Sequence, residues 1–187
     1  MKYICRSSAE LVVRVVTLSY RFGYVYVVTG TIPKHKDPLP VDRKLMDKYG
    51  VRRDRMKAMR EHRQGLAKVK YLRWRDRFLL LATDGESSLF EEERPVDLRR
   101  MPVRIGDYVV KVKVINGKPS VQLSARCYKR LRDQILASAL SPKADRLLAV
   151  PRLKFEGVFK QLRRLKRTLR RKRKRAGYRR GKRQRSR

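Results

Sequence analysis

Acidic residues are scarce in this sequence of 187 residues, and none follows Glu156. Only 17 Asp and Glu stand against 52 Lys and Arg, which gives a formal net charge of +35. Residues 160–187 hold 17 of the basic residues, so the rest of the chain still has 35 basic against 17 acidic residues. A compact body with such an excess repels itself unless an anion neutralises it. The charge therefore predicts a polyanionic partner, above all nucleic acid.

Cysteine and histidine are too few for several common kinds of site. Cys5 and Cys127 do not make a disulfide framework or a zinc site, and His35 and His62 cannot complete one. The sequence also has no HxH pair, no P-loop glycine pattern and no CxxC motif. We accordingly expect no cofactor and no metal centre, and the sequence favours a protein that is not an enzyme.

Long apolar runs are missing as well. No run approaches the length of a membrane span, and the first six residues lack the apolar core of a signal peptide. A polybasic segment can bind a membrane surface, but it usually needs an apolar anchor beside it. We expect a cytoplasmic protein, associated with the nucleoid or a ribonucleoprotein, with no membrane partner. Nothing in the sequence indicates an oligomeric state.

The C-terminal stretch predicts a basic amphipathic helix. Five apolar residues recur there at intervals of three and four: Phe155, Val158, Leu162, Leu165 and Leu169. This spacing puts them on one stripe, with Lys and Arg on the opposite side. An unbroken basic run follows at 170–175, and Gly177 is a plausible helix stop. We predict an amphipathic basic helix within 151–176 and a disordered polybasic tail over 177–187.

Residues 1–150 have the pattern of a mixed α+β body. Stretches rich in β-branched and aromatic residues predict strands at 10–20, 24–32, 68–74, 77–83, 102–105, 107–115 and 118–123. Helices are predicted at 41–49, 52–64, 125–140 and 144–150. Tight turns are expected at Gly23 and at Asn116-Gly117. The predicted fold is an antiparallel sheet with helices on one face, plus the basic C-terminal helical extension, and a subdivision near residue 95 is an alternative.

Residues 41–83 resemble a helix-turn-helix within a winged-helix domain. The segment 45–51 reads Leu-Met-Asp-Lys-Tyr-Gly-Val, and a helix with Met56 and Met59 inward follows it. In that motif the second helix reads the major groove, and the strands around Arg75-Asp76 would form the wing. The sequence departs from the family because a β-hairpin is predicted where a winged helix has its first helix. The alternative is an αα-hairpin that covers one face of a sheet.

This resemblance and the basic run predict the residues that contact nucleic acid. On the helix and the wing they are Arg52, Arg53, Arg55, Lys57, Arg60, Arg63, Arg73, Arg75 and Arg77. In the C-terminal stretch they are Arg163, Arg164, Arg167, Arg170, Arg171, Lys172, Arg173, Lys174, Arg175, Arg179 and Arg180. Tyr24 and Tyr26 share a predicted strand face, where they are either a base-stacking platform or half-buried sheet aromatics.

Residues 24–93 are also similar to a family of uncharacterised bacterial proteins. The segments that carry the similarity are 28–33 (Val-Thr-Gly-Thr-Ile-Pro), 36–38 (Lys-Asp-Pro), 41–45 (Val-Asp-Arg-Lys-Leu), 81–86 (Leu-Ala-Thr-Asp-Gly-Glu) and 90–93 (Phe-Glu-Glu-Glu). The resemblance implies no established activity, so it adds no chemistry.

Most of the local acid lies between residues 84 and 97. Its carboxylates are Asp84, Glu86, Glu91, Glu92, Glu93 and Asp97. They either hold Mg²⁺ for phosphodiester chemistry or form an acidic loop that pairs with basic parts of the chain. The sequence thus favours a non-enzymatic nucleic-acid-binding protein, with DNA slightly ahead of RNA because of the helix-turn-helix resemblance. The alternatives are a metal-dependent nuclease or transposase-type component, and an RNA-binding protein of a ribonucleoprotein.

Overall fold

The computed structural model describes residues 3–51, 55–112, 119–149 and 153–178. The chain divides into two compact units, Met1–Ser120 and Val121–Arg187, and residue 95 lies inside the first. Helices and antiparallel sheets together confirm the predicted α+β class, and a helix occupies the C-terminal stretch. Within the described ranges, no helix is both long enough and apolar enough to cross a membrane.

The first element is a helix, α1 (Ser8–Phe22), so the strand predicted at residues 10–20 is wrong. The Ser7 side chain accepts a hydrogen bond from the backbone N–H of Glu10 and caps the helix, and Gly23 ends it with a left-handed φ of 71°. Leu11, Val12 and Val15 are buried at helical spacing. Burial of this stripe outweighs the weak helix propensity of the valines, on which the strand prediction rested.

The main sheet belongs to the first unit. Its strands are β1 (Tyr26–Thr31), β2 (Val69–Trp74), β3 (Arg77–Ala82) and β4 (Val96–Asp97). Their order is β2-β3-β1-β4, with every pair antiparallel. Val28 and Tyr71 both lie opposite Leu80, so these three side chains share one face of the sheet. The predicted β2–β3 hairpin, with its turn at Arg75-Asp76, is confirmed.

The first unit has three further described helices. Helices α2 (Pro38–Lys48) and α3 (Arg55–Arg63) lie between β1 and β2, and α4 (Ser88–Glu92) lies between β3 and β4. The Asp37 side chain caps α2 and Pro38 occupies its first turn, so α2 begins three residues before the predicted start. One core cluster joins α2 and α4 to the sheet: Val28, Met46, Tyr49, Tyr71, Leu80, Ala82 and Leu89.

Met56 and Met59 of α3 do not point inward, which corrects the expectation for this helix. Their exposed fractions are 59% and 41%. Helix α3 is short, and neither methionine joins the core cluster of the first unit. The apolar spacing of two flexible methionines in a basic segment is therefore too weak a signal of a buried face.

Three short strands follow: β5 (Val103–Ile105), β6 (Tyr108–Val112) and β7 (Pro119–Leu123). Strands β5 and β6 pair as an antiparallel hairpin. Strand β7 crosses the boundary between the two units. The predicted turn at Asn116-Gly117 lies outside the described residues.

The second unit contains α5 (Ala125–Ala137), α6 (Pro142–Ala149) and α7 (Glu156–Arg175). The Ser124 side chain caps α5 as expected, because its oxygen accepts a hydrogen bond from the Cys127 N–H. Cys127, Leu131 and Ile135 then form the buried stripe of this helix. Helix α7 confirms the basic helix that the C-terminal spacing predicts.

Candidate nucleic-acid interface

Helix α7 is seated in the second unit by its apolar stripe. Val158, Leu165 and Leu169 are all at most 2% exposed, whereas Phe155 and Leu162 are half-buried. The predicted stripe is therefore the packed side of the helix, and the Lys and Arg between its members must face elsewhere.

The first turns of α7 are fixed against β7. The Gln161 side-chain amide donates to the carbonyl of Leu123 over 3.1 Å, and its oxygen accepts from the Leu123 N–H over 2.7 Å. This amide thus satisfies the same backbone groups that a neighbouring strand would. A Cβ added at Gly157 would lie 2.4 Å from the carbonyl oxygen of Val121. Only glycine permits this close approach of helix and strand.

Arg173 fixes the other end of α7. Its Nε donates to the carbonyl of Ala139 over 2.7 Å, and its Nη2 donates to the carbonyl of Ser141 over 3.1 Å. Nη1 and Nη2 also donate to the two carboxylate oxygens of Asp145, over 3.2 and 2.9 Å. Lys172 is engaged on the same side, through its Nζ and the carbonyl of Leu136. Both residues were predicted contacts for nucleic acid, and in the structure both hold α7 to its own unit.

The remaining cations of α7 form what we call the α7 cationic face. Its members are Arg163, Arg164, Lys166, Arg167, Arg170, Arg171, Lys174 and Arg175, all exposed. They make two rows, 163-166-170-174 and 164-167-171-175, each stepped by three, four and four residues. Such rows run along the helix away from the packed stripe. None of the eight forms an ion pair within the part of the chain that the structure describes.

The α7 cationic face is electrostatically one-sided. The only acidic residue of α7 is Glu156, which pairs with Lys160 over 2.7 Å at the start of the helix. Cations in the last turn interact favourably with the negative end of the helix dipole. Like charges four residues apart nevertheless repel each other. The helix has 20 residues and is thus about 30 Å long. A long array of cations without counter-charges is suited to a polyanion.

The predicted contacts in the first unit are less uniform. Arg60 and Arg63 of α3 are exposed. Arg52 and Arg53 lie outside the described residues, as do Arg179 and Arg180 in the predicted tail and the side chains of Arg55 and Lys57. On the β2–β3 hairpin, Arg75 and Arg77 are exposed.

Arg73 faces inward, which separates it from the other predicted contacts. It is 8% exposed, and its Nε lies 2.9 Å from the carboxylate of Asp42, which is fully buried. The Tyr71 hydroxyl donates to the same carboxylate over 2.6 Å. Burial and the neighbouring carboxylate together raise the pKa of Tyr71 far above its usual range. Arg73 is therefore part of a buried polar cluster and does not line a binding surface.

No protein-family model matches this chain, and neither a curated protein nor a solved structure matches it. A function for the chain therefore rests on its own charges and contacts.

The acidic stretch at 84–97 is organised by Arg99. The Arg99 guanidinium donates to Asp97 over 3.0 and 3.1 Å, and to Asp84 over 3.1 and 3.3 Å. Burial opposes the charged form of Asp97, but the bonds from the Arg99 side chain and N–H outweigh it and lower the pKa of Asp97. Among the described residues, no three His, Cys, Asp or Glu side chains are grouped to hold a metal ion. Asp84 and Asp97 thus pair with Arg99, and Glu92 pairs with Lys48, all within the first unit.

Tyr24 and Tyr26 do not share a strand face, because Tyr24 precedes β1 and Tyr26 is its first residue. Tyr24 is 4% exposed, and burial raises its pKa to about 12. Tyr26 packs edge-to-face on Phe90 with 5.0 Å between ring centres, and its hydroxyl accepts from Arg99 over 2.8 Å. The Arg99 guanidinium also lies over the Tyr26 ring, 5.2 Å from its centre, so the two tyrosines do not form one shared platform.

Proposed function

We propose that this chain is a non-enzymatic nucleic-acid-binding protein and that the α7 cationic face contacts the phosphate backbone. The observation that supports the proposal is the set of eight exposed cations on one anchored helix, without ion-pair partners in the described part of the chain. Phosphates that replace solvent at these side chains release condensed counterions, which drives binding. The anchors at Gln161 and Arg173 already fix the helix that carries the array. Little backbone conformational entropy is therefore lost on binding.

The chemistry of this face favours contacts to phosphate over contacts to bases. Beside the two rows lies one polar residue other than Lys and Arg, Thr168, whose hydroxyl donates to the carbonyl of Arg164 over 3.0 Å. The face has no Asn or Gln to read adenine. Because the opposite side of α7 is packed in its unit, the helix also presents only one side to a ligand. We expect binding that depends weakly on sequence and strongly on salt.

A base-reading role for α3 stays a prediction. The order of the first six elements, helix-strand-helix-helix-strand-strand, is that of a winged helix, because α1 replaces the predicted hairpin. This order supports the resemblance and, with it, duplex DNA as the first ligand to test. The exposed Met56 and Met59 count against it, because a recognition helix needs a packed inner side.

The proposal is tested by titrating the full chain with matched duplex DNA, single-stranded DNA and structured RNA across a salt series. With ~6–10 phosphate contacts, affinity should fall by roughly 10³–10⁵ between about 50 and 200 mM salt. The ligand class that stays bound at the highest salt is the preferred partner. Absence of binding to all three ligands at about 50 mM salt would overturn the proposal.

Two matched variants separate the α7 cationic face from the overall charge. In the first, Arg163, Arg167, Arg170 and Lys174 are replaced by Gln. In the second, four exposed cations of the first unit are replaced in the same way: Lys34, Lys36, Arg43 and Lys44. The first variant should lower the slope of log affinity against log salt by about 3–4, since each lost contact removes about 0.9. An equal loss in both variants would mean that net charge, rather than the face, attracts the ligand.

A further inference from the structure

Trp74 is the only tryptophan of the chain, and it lies at the tip of the β2–β3 hairpin. Its side chain is half-buried, and the exposed Arg75, Arg77 and Arg104 surround it. The guanidinium carbon of Arg75 lies 5.2 Å from the centre of the indole ring. A planar cation thus already occupies a position over the ring.

The backbone of the tip is strained, and a buried ion pair holds it. Arg75 has a left-handed φ of 57°, the only positive φ of a residue other than glycine in the described ranges. The Nη1 of Arg73 donates to the carbonyl of Arg75 over 2.8 Å, while the carboxylate of Asp42 fixes the guanidinium of Arg73. Strain of this kind persists only where the surrounding structure imposes it, and it often marks a functional site.

A narrow cleft of about 100 Å³ adjoins the indole ring. Thr29, Thr31, Arg77 and Arg104 line it, and Arg104 is oriented by a hydrogen bond from its Nε to the carbonyl of Gly106 over 3.2 Å. The cleft is too small to enclose a whole nucleotide. It offers one aromatic ring with cations along an open edge, which is the combination that single-strand-binding surfaces use.

We propose that the tip of this hairpin binds an unpaired nucleotide, with the base stacked at Trp74 and the flanking phosphates at Arg75, Arg77 and Arg104. This inference rests on the proposed function, and it adds a second site, in the first unit, that selects single-stranded nucleic acid. In a duplex the bases stack on each other and are not available to an indole ring. An unpaired base takes the same position over the ring that the Arg75 guanidinium occupies.

The single tryptophan makes the test direct, because all indole fluorescence comes from this site. The full chain is titrated with oligo(dT), oligo(U) and a blunt DNA duplex, each labelled at one end. Anisotropy of the label measures binding, and indole fluorescence measures stacking. We expect both single strands to bind and quench the indole, and the duplex to bind without quenching. Binding of single strands without quenching would overturn the stacking site and leave the proposed function intact, whereas no binding at all would overturn both.

Substitutions give a second, independent measure. Trp74→Leu should weaken binding of single strands roughly 5- to 150-fold, the range expected for one stacked base, and should leave duplex binding unchanged. Trp74→Tyr should restore most of that affinity, because it restores an aromatic face. Tyr20→Leu is the matched control, since Tyr20 is an aromatic residue of the same unit that is 57% exposed and precedes Arg21. An equal loss from Tyr20→Leu, or from Trp74→Leu on the duplex, would argue against the site.

Discussion

The guanidinium of Arg173 donates to both carboxylate oxygens of Asp145, over 3.2 and 2.9 Å. In the sequence, Arg173 cannot be told from its neighbours in the basic run at 170–175. In the structure its side chain is only 12% exposed, whereas Arg170 and Arg171 face solvent. The run therefore combines two roles: some of its members anchor the helix, and others form the α7 cationic face.

Replacing Arg173 and Arg170 one at a time separates these roles. Arg173→Ala should lower the free energy of unfolding by roughly 2–3 kcal/mol, because it removes charged hydrogen bonds at a mostly buried side chain. Arg170→Ala should change it by less than about 0.5 kcal/mol, yet lower the salt slope of nucleic-acid binding by about 1. Urea unfolding and salt-dependent binding measure the two effects. Equal stability of the two variants would contradict an anchoring role for Arg173.

Gly157→Ala tests how closely α7 packs on β7, because close packing decides whether the substitution raises or lowers the free energy of unfolding. Alanine has a higher helix propensity than glycine, so the substitution in a helix normally stabilises by up to about 1 kcal/mol. Here the new methyl group would lie 2.4 Å from the carbonyl oxygen of Val121, and the backbone would have to move. We expect a loss of roughly 1–3 kcal/mol in the free energy of unfolding. A stabilised variant in thermal unfolding would mean that α7 does not approach β7 this closely.

Sequence patterns predict the elements whose signal is local and miss what depends on tertiary partners. The stripe from Phe155 to Leu169 is unambiguous because five apolar residues keep helical spacing. In α1 the valines favour a strand by propensity, and only burial of Leu11, Val12 and Val15 makes a helix the better choice.

The candidate site shows the same limit at the level of side chains. The 52 basic residues indicate a polyanionic partner by their number alone. Their number does not indicate that Arg73 pairs with Asp42, which lies 31 residues earlier, or Arg173 with Asp145, which lies 28 residues earlier. Nor does the sequence single out Trp74 among the nearby arginines, because the stacking site that we propose there depends on the turn conformation of Arg75 and on the distant Arg104.

The Asp42–Arg73 pair should be the most sensitive polar contact of the first unit. Asp42→Asn leaves the Arg73 charge buried without compensation, and we expect a loss of roughly 3–5 kcal/mol in the free energy of unfolding. The double variant Asp42→Asn with Arg73→Met should lose less free energy of unfolding than the two single variants lose together, because no unpaired charge remains. Chemical unfolding of the three variants completes the cycle. Strict additivity would show that the two side chains do not depend on each other.

Acid should weaken the first unit partly through Asp97. Its pKa in the folded chain is lowered because the bonds from Arg99 outweigh burial, whereas in the unfolded chain a pKa of about 3.9 is expected. The stabilisation is therefore present above about pH 4, and it is lost as the pH falls through the folded pKa, since the unfolded chain binds the proton first. The Asp97→Asn variant should be less stable than the original protein at about pH 7, and its free energy of unfolding should fall less as the pH is lowered. Urea unfolding between about pH 7 and pH 3 measures both curves. Parallel curves for the two proteins would mean that Arg99 does not favour the charged form of Asp97.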